Sequence, residues 1–545
     1  MELFSLIYPP NTAEDSPVRT TARDLIANLG ADWFFHSRDC RLIDYLTSSP
    51  TVIEYRRTAL RDMMECPTLL QMLRDASELL GQIEENSKRR ESGNDSFESQ
   101  FFSIRELEIY VDLVNCMQNG FKAVEAEGFT LRSEGFEALR ASVEEQIPTA
   151  DELRAGLSRM VLAIENIKSV TIGFNLDTNL FPFEAGLLSI NDRPIRSGEL
   201  IDRLLSLEFE KDDLTALAPM TAVSKRLTAR ERESVDMVFM GAMRKVYGGA
   251  LRPWAPMIRK YVAAGACPWL RLLPEMRYLI VAADLLTGLT DQGLPLCWAT
   301  VCPKEGKTFE VKGMYNPALA MKLKETNPDA GIVCNDLTFD ADGGIYILTG
   351  PNSGGKSVFA CGIGILQIMF QLGMPIPASV GAVSPVDGIF THFPNEVEAS
   401  AADGRLGSEC ALVKRIFEKL TPNSLVLLDE TFSGTGSFEG SFLAADVLAA
   451  LSARGVHAIY CTHMHELTTH IPEINSRAEG CAKIATLSAG SEGDERFRIL
   501  RRAPDGKSYA ARIAAKYGLS YGELVGKCDG REETEFTPKN RTTES

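Results

Sequence analysis

The octapeptide Gly350-Pro-Asn-Ser-Gly-Gly-Lys-Ser357 directly follows the apolar run Ile345 to Leu348, and no other stretch constrains this chain as strongly. Its spacing, G-x-x-x-x-G-K-S, is that of a loop wrapped round a polyphosphate, and the run before it predicts a buried strand. Gly350, Gly354 and Gly355 let backbone N–H groups approach the phosphates, with Pro351, Asn352 and Ser353 completing the cradle. Lys356 sets a cation against the outer phosphates, and the Ser357 hydroxyl offers an oxygen to Mg²⁺. Behind the loop, Val358 to Phe370 predicts a helix that is apolar almost all round, with its N-terminal dipole aimed at the phosphates. A chance Gly-rich surface turn would not arrive with strand, loop and helix in this order.

A second apolar run, Ser424 to Leu428, ends in Asp429-Glu430. This is the pattern of a Walker B strand. Asp429 is expected to hold Mg²⁺ through its water shell, and Glu430 to orient or deprotonate an attacking water. A helix is predicted over Phe442 to Leu451, and a third run, Val456 to Cys461, ends in Thr462-His463. That alternation implies a mostly parallel sheet with its ligand at the carboxyl ends of the strands, where His463 is placed to sense a γ-phosphate. The competing reading is a metal site, because Cys461, His463, His465 and His470 lie close together and two of the histidines would share a face of an extended strand. No second ligand cluster accompanies them, and Mg²⁺ with nucleotide already accounts for the strand end.

With 545 residues, 45% of them hydrophobic and 24% charged, the chain is expected to be multidomain and globular. A net charge of -17 excludes a protein coated in basic surface, so any nucleic-acid contact must be regional. The twelve cysteines include no C-x-x-C pair, and no basic region precedes an apolar core at the N-terminus. Reduced thiols and a cytoplasmic location are expected. No membrane segment is read, since Gln367 and Gln371 interrupt the longest apolar run.

Upstream, apolar residues at helical spacing predict helices over 19–85 (Leu25, Ile26, Leu29; Leu42, Ile43, Leu46) and 102–168 (Ile104, Leu107; Leu157, Met160, Val161, Ile164). Asn86 to Ser96 is polar and without periodicity, which predicts a loop, and its Lys88-Arg-Arg90 triplet reads as solvated. Val170 to Leu176 alternates as a half-buried strand, with Gly186 to Ile190 as its partner. Helical stripes resume over 198–290, through Val235 to Val246 and Leu272 to Leu286. Pro295, Pro303 and Pro317 then punctuate the chain, which puts a boundary near residue 300.

Thr349 to Ser357, Leu425 to Glu430, Ser433-Gly-Thr-Gly-Ser-Phe-Glu-Gly440 and Thr462-His-Met-His-Glu-Leu-Thr468, in that order, resemble the ATPase domain of the MutS family of DNA mismatch-repair proteins. The resemblance extends to Asn335-Asp-Leu337, to Lys507-Ser-Tyr-Ala510 with Ala514 to Leu519, and more weakly to Ser49 to Arg57 and Met63 to Leu69. It implies a mostly α-helical core and lever domain over 1–300, with a small β insertion at about 169–195. An α/β P-loop ATPase domain of ABC-like type would cover 301–528, and a disordered tail 529–545. It further implies ATP and Mg²⁺ as cofactors, a homodimer sandwiching two nucleotides through the ATPase domain, and DNA as partner. Lys356 and Ser357 would bind phosphate and Mg²⁺, Asp429 would hold Mg²⁺, Glu430 would be the hydrolytic carboxylate and His463 the γ-phosphate switch. Ser433, Gly434, Thr435, Gly436 and Ser437 would form the loop facing the partner subunit.

The chain also departs from that pattern. The family's N-terminal mismatch-reading and connector domains are not expected ahead of the core region read here, and the β element near residue 170 is expected to be too short for a full DNA clamp. Where the family offers a Ser-Thr pair acting on the neighbour's nucleotide, this chain reads Asp403-Gly-Arg-Leu-Gly-Ser-Glu409, which leaves Ser408 or the Gly407 backbone at a helix N-terminus. Three function classes follow: a DNA-processing ATPase, an ABC-like switch acting on a protein, and a non-hydrolysing scaffold. Intact Lys356, Asp429 and Glu430 make the third the weakest.

Overall fold

The computed structural model describes residues 4–10, 12, 22–35, 37, 40–92, 96–165, 168–176, 178, 182–191, 193–194, 267–351, 354–393, 404–477, 482–490 and 495–503. Asn352, Ser353, Asp403, the Val235 to Val246 stripe, the Lys507 to Leu519 segment and the tail at 529–545 lie outside them. Two compact units are present, Met1–Ile7 with Arg61–Ile280, and Tyr8–Leu60 with Val281–Ser545. They do not follow a single cut near residue 300.

The opening elements are α1 (Ala22–Asn28), α2 (Asp32–Phe35), α3 (Pro50–Glu65), α4 (Pro67–Ser92), α5 (Ser96–Ala126) and α6 (Glu134–Glu165). In the first unit, Leu69, Met72, Leu73, Ala76, Leu80 and Ile83 form the buried stripe of α4, against Leu113, Met117 and Phe121 of α5. The two helices approach closely at Gly120, where a Cβ would fall 2.3 Å from Met72 Cγ. Asp62 accepts the backbone N–H groups of Arg132 (2.7 Å) and Ser133 (2.8 Å), which fixes the turn that starts α6. A two-stranded antiparallel ribbon follows, β1 (Ser169–Leu176) on β2 (Pro182–Asn191), with Ser169 opposite Asn191.

The loop expected from Asn86 to Ser96 is corrected. Helix α4 runs on to Ser92 and α5 begins at Ser96. Lys, Arg and Glu are good helix formers, and Lys88 pairs with Glu84 one turn away at 2.8 Å. Absence of an apolar stripe here goes with a polar helix end, rather than a loop.

The second unit resumes at Val281 within α7 (Leu273–Asp291) and continues through β3 (Thr300–Val301), β4 (Phe309–Met314), α8 (Pro317–Thr326), β5 (Asn335–Phe339), β6 (Ile345–Thr349), α9 (Lys356–Gln371), β7 (Val380–Val383) and β8 (Gly388–His392). It closes with α10 (Gly404–Lys419), β9 (Ser424–Asp429), α11 (Ser437–Arg454), β10 (His457–Cys461), α12 (Ile471–Arg477), β11 (Ile484–Ala489) and β12 (Ile499–Leu500). Six strands form one sheet in the order β12-β11-β6-β10-β9-β8, parallel except for β12. Its central strands read as unbroken apolar runs because both faces are covered: every residue of β6 and β9 is buried. Leu348, Cys461 and Asp429 stand level in the register, so the chain leaves β6, β10 and β9 at one edge.

A second sheet, β3-β7-β4-β5, was not expected from the sequence. In β4, Phe309 and Val311 point inward and Glu310 and Lys312 outward, an alternation hidden among prolines and glycines. The early segment up to Leu60 belongs to this unit: Asn28 Nδ2 donates to Thr391 Oγ1 (3.1 Å), and Gln371 Nε2 donates to Thr47 O (2.7 Å). Among the described residues no helix is long and apolar enough to cross a membrane.

Candidate functional site

The loop after β6 owes its shape to glycines. Gly350 has φ 138, and a Cβ there would sit 2.8 Å from the Cβ of Ala489 in β11, so only a bare backbone passes. Gly355, at φ 83, caps the start of α9. Lys356, only 4% exposed, turns back so that its Nζ donates to Gly350 O and Pro351 O, both at 3.0 Å. Burial pulls its ammonium below the ordinary lysine range, against the opposing pull of Cys461, Glu430 and Asp429. Gly354 N donates to Pro351 O at 2.9 Å, which closes the loop.

Asp429 ends β9 in the same crevice. Its carboxyl is buried near the Ser357 hydroxyl; burial raises its pKa, with Glu430 adding to the rise and Ser357 and Lys356 opposing it. One of its oxygens, Oδ1, is buried without a hydrogen-bond partner. An orphaned carboxylate oxygen beside a hydroxyl is a hard-oxygen donor set, which suits Mg²⁺, an ion that needs few protein ligands. Glu430 then leaves the strand in a left-handed conformation, φ 49, with its N–H on Cys461 O at 2.9 Å. Its side chain, 29% exposed, places Oε1 3.5 Å from Nδ1 of His463, which is 47% exposed just past the end of β10. Cys461 Sγ reaches Lys356 O at 3.7 Å, joining the end of β10 to the start of α9.

The turn after Glu430 is braced from several elements that no local sequence pattern connects. Thr431 is buried; its hydroxyl meets His392 Nδ1 at 2.7 Å, and its carbonyl accepts the Tyr460 hydroxyl. Phe432 is left-handed at φ 67, and its N–H donates to Glu409 Oε2 at 2.8 Å. Arg405 binds Glu409 Oε1 through Nε (3.0 Å) and the Ser433 hydroxyl through Nη2 (3.3 Å). The one available signal was Glu409 itself, a charged residue at i, i+4, i+7 spacing with the buried Val413 and Ile416 of α10. Beyond the turn, Thr435 donates to Glu439 at 2.9 Å, Gly436 caps α11 and Ser437 is its first residue.

Two expectations are corrected. Helix α10 starts at Gly404, so Ser408 lies in its second turn with its hydroxyl on Gly404 O at 3.2 Å; Gly407 belongs to the N-terminal turn and Ser408 does not. Strand β10 ends at Cys461 and a 3₁₀ turn, His465–His470, follows, so His463 and His465 do not share an extended strand. Among the described residues no cluster of three His, Cys, Asp or Glu is placed to hold a metal.

Beside Lys356 and Ser357 opens a cavity of about 480 Å³, walled by Tyr315, Leu319, Ile332, Val333, Phe359 and Phe497. It is mostly apolar and adjoins the polar loop, so it presents an apolar chamber joined to an anion cradle.

The crevice brings a glycine-rich loop, a buried lysine and an orphaned carboxylate together at one edge of an α/β sheet. Residues 346–526 match the family model for MutS domain V. The chain is also 30% identical over 211 residues to the DNA mismatch repair protein MutS of Synechococcus sp. (strain CC9605), a match covering 38% of this chain and 22% of that protein. The C-terminal part of this chain is thus similar to MutS domain V, and its alignment spans about a fifth of that relative's length.

Proposed function

We propose that this chain binds and hydrolyses ATP with Mg²⁺ at the crevice of Lys356, Ser357, Asp429 and Glu430, and uses the cycle to control a dimer on DNA. The observation that carries the reading is the orphaned Asp429 Oδ1 beside the Ser357 hydroxyl and the buried Lys356 ammonium. A buried carboxylate with one orphaned oxygen, in the same crevice as a buried ammonium held by loop carbonyls, fits a site completed by a cation and a polyanion.

In this reading the triphosphate lies along the backbone from Gly350 to Ser357 and exchanges places with the carbonyls that hold Lys356 Nζ, while the apolar cavity takes the base. Ser357 and Asp429 would hold Mg²⁺, which supplies charge neutralisation on the phosphate oxygens when bound. Glu430 accepts the proton of the attacking water, and His463, 3.5 Å away, orients that carboxylate and contacts the γ-phosphate. The Ser433 to Ser437 loop and the N-terminal turn of α10 face the neighbouring subunit and complete the second side of the triphosphate. Residues 301–528 would carry the ATPase role and the helices between Arg61 and about residue 300 the core and lever role, with the early segment up to Leu60 belonging to the ATPase unit. A second reading, a switch acting on a protein partner, is favoured by the net charge of -17.

The test is sedimentation of the Glu430→Gln protein with and without Mg-ATP, with duplex and branched DNA added at rising salt. The proposal expects an ATP-dependent dimer and DNA binding that weakens steeply with salt. A single species of unchanged mass would refute the dimer, and binding to none of the DNAs would favour the protein-partner reading.

A further inference from the structure

The left-handed turn Glu430-Thr431-Phe432 is the most constrained backbone in the site, and its conformation cannot come from its own residue types. Non-glycine residues at positive φ pay for the close approach of Cβ to the carbonyl, and a bulky Phe is poorly suited to it. Glu430 sits at φ 49 and Phe432 at φ 67, with the buried Thr431 between them. Beyond the turn's own bond from the Ser433 N–H to Glu430 O at 3.1 Å, contacts from elsewhere hold it. From β10 come Cys461 O on the Glu430 N–H and the Tyr460 hydroxyl on Thr431 O, and from β8 comes His392 on the Thr431 hydroxyl. These strands belong to the same rigid sheet as Glu430. The remaining contact does not: the Phe432 N–H is held by Glu409 of α10, a carboxylate only 6% exposed, whose other oxygen is taken by Arg405. Arg405 extends the brace to the Ser433 hydroxyl, and a Cβ on Gly434 would lie 3.1 Å from Arg405 Cδ, so the guanidinium stem runs along the start of the following loop.

We infer that Glu409 is a positioning residue for Glu430, fixing the hydrolytic carboxylate through the Phe432 N–H and making its aim depend on where α10 sits. The inference rests on the ATPase reading and deepens it, by naming a helix outside the sheet as a control on the hydrolytic step. A carboxylate buried in the apolar stripe of α10 is costly unless both oxygens are satisfied, and here one is spent on a strained amide and the other on a guanidinium. The pair therefore behaves as a latch. With α10 docked, Glu430 and Ser433 are held together; with α10 displaced, Phe432 loses its only side-chain acceptor among the described hydrogen bonds and the turn is free to relax toward right-handed φ. Nucleotide binding, which uses the loop after β6, would not be touched.

The experiment compares wild type, Glu409→Ala, Glu409→Gln and Arg405→Ala as full chains, reading ATP affinity by calorimetry, steady-state hydrolysis, thermal unfolding and amide exchange over residues 430–433. Glu409→Ala is expected to lower kcat by about tenfold or more, with ATP affinity within about twofold of wild type and faster exchange at Phe432, because a small misplacement of a catalytic group is expensive while binding groups stay put. Glu409→Gln keeps an acceptor for the Phe432 N–H and should restore most of the rate. Arg405→Ala, which leaves Glu409 in place, should lose less. In a Glu430→Gln background Glu409→Ala should have no further effect on turnover, since the group it positions is gone. If Glu409→Ala does not fold, Arg405→Ala carries the test: faster exchange at Phe432 with kcat lowered a few-fold and ATP affinity unchanged supports the inference, and unchanged exchange and kcat overturn it. Unchanged kcat in a folded Glu409→Ala protein overturns the inference, and so does a loss of ATP affinity in step with kcat. Absence of hydrolysis by wild type overturns the ATPase reading, and the inference with it, and is told apart because the parent protein itself is then inactive.

Discussion

Two connections leave the same edge of one parallel sheet, and they are built on opposite principles. The loop after β6 bends at Gly350 (φ 138) and Gly355 (φ 83), residues with no Cβ to strain. The turn after β9 bends through Glu430 (φ 49) and Phe432 (φ 67), which have every reason to avoid that region and are held there by hydrogen bonds from β8, β10 and α10. The first conformation is written in residue types, and the second is imposed by the rest of the unit. If the proposed ATPase reading holds, a cradle that meets the same phosphates every cycle gains from being preformed, and a carboxylate that acts at one moment gains from an aim that distant elements can change.

Adding a single Cβ to the first connection should break this contrast most severely. Gly350→Ala puts a methyl 2.8 Å from Ala489 Cβ at a φ that L residues rarely adopt, so it should cost on the order of 3 kcal/mol and abolish ATP binding. Chemical denaturation and calorimetry check both parts. Lys356→Ala should leave the loop's backbone intact and remove about 1.5 to 3 kcal/mol of ATP affinity, a charge-assisted contact made in a desolvated crevice. Equal affinity for mutant and wild type would remove Lys356 from the phosphate site. The smallest effect is expected in the second connection. Tyr460→Phe deletes one of several braces, so it should cost about 1 kcal/mol in unfolding free energy and lower turnover by only a few-fold, with ATP affinity unchanged. A larger loss would show that the turn hangs on the sheet rather than on α10.

The same contrast explains how much was legible in the sequence. The buried runs from Ile345 and from Ser424, the loop between Gly350 and Ser357 and the helix behind it are local patterns, and the strands and helix stand where those patterns placed them. The β1–β2 ribbon was readable from alternation alone. Glu409, His392 and Tyr460 were not, because their partners in the turn lie 23, 39 and 29 residues away and no periodicity announces a hydrogen bond across elements. Helix α4 beyond Asn86 was misread because a solvated helix and a loop share a polar composition, and only pairs such as Glu84 with Lys88 separate them. The sheet containing β4 was missed because Pro303, Gly306 and Gly313 drew attention away from the alternation between Phe309 and Val311. Ser408 was assigned to a helix start that actually lies at Gly404, an error of one turn in an element whose beginning carries no apolar signal.

The central claim is that Lys356, Ser357, Asp429 and Glu430 form one ATP-hydrolysing site in which Glu430 acts on water and the loop after β6 binds. Paired calorimetry and phosphate-release measurements on wild type and Glu430→Gln, with Mg-ATP, test it directly. The account predicts ATP affinities within about twofold of each other and a turnover lower by 10² or more in the variant, since the substitution keeps the shape of the side chain and removes the base. Equal turnover in the two proteins, or no ATP binding by either, would contradict it.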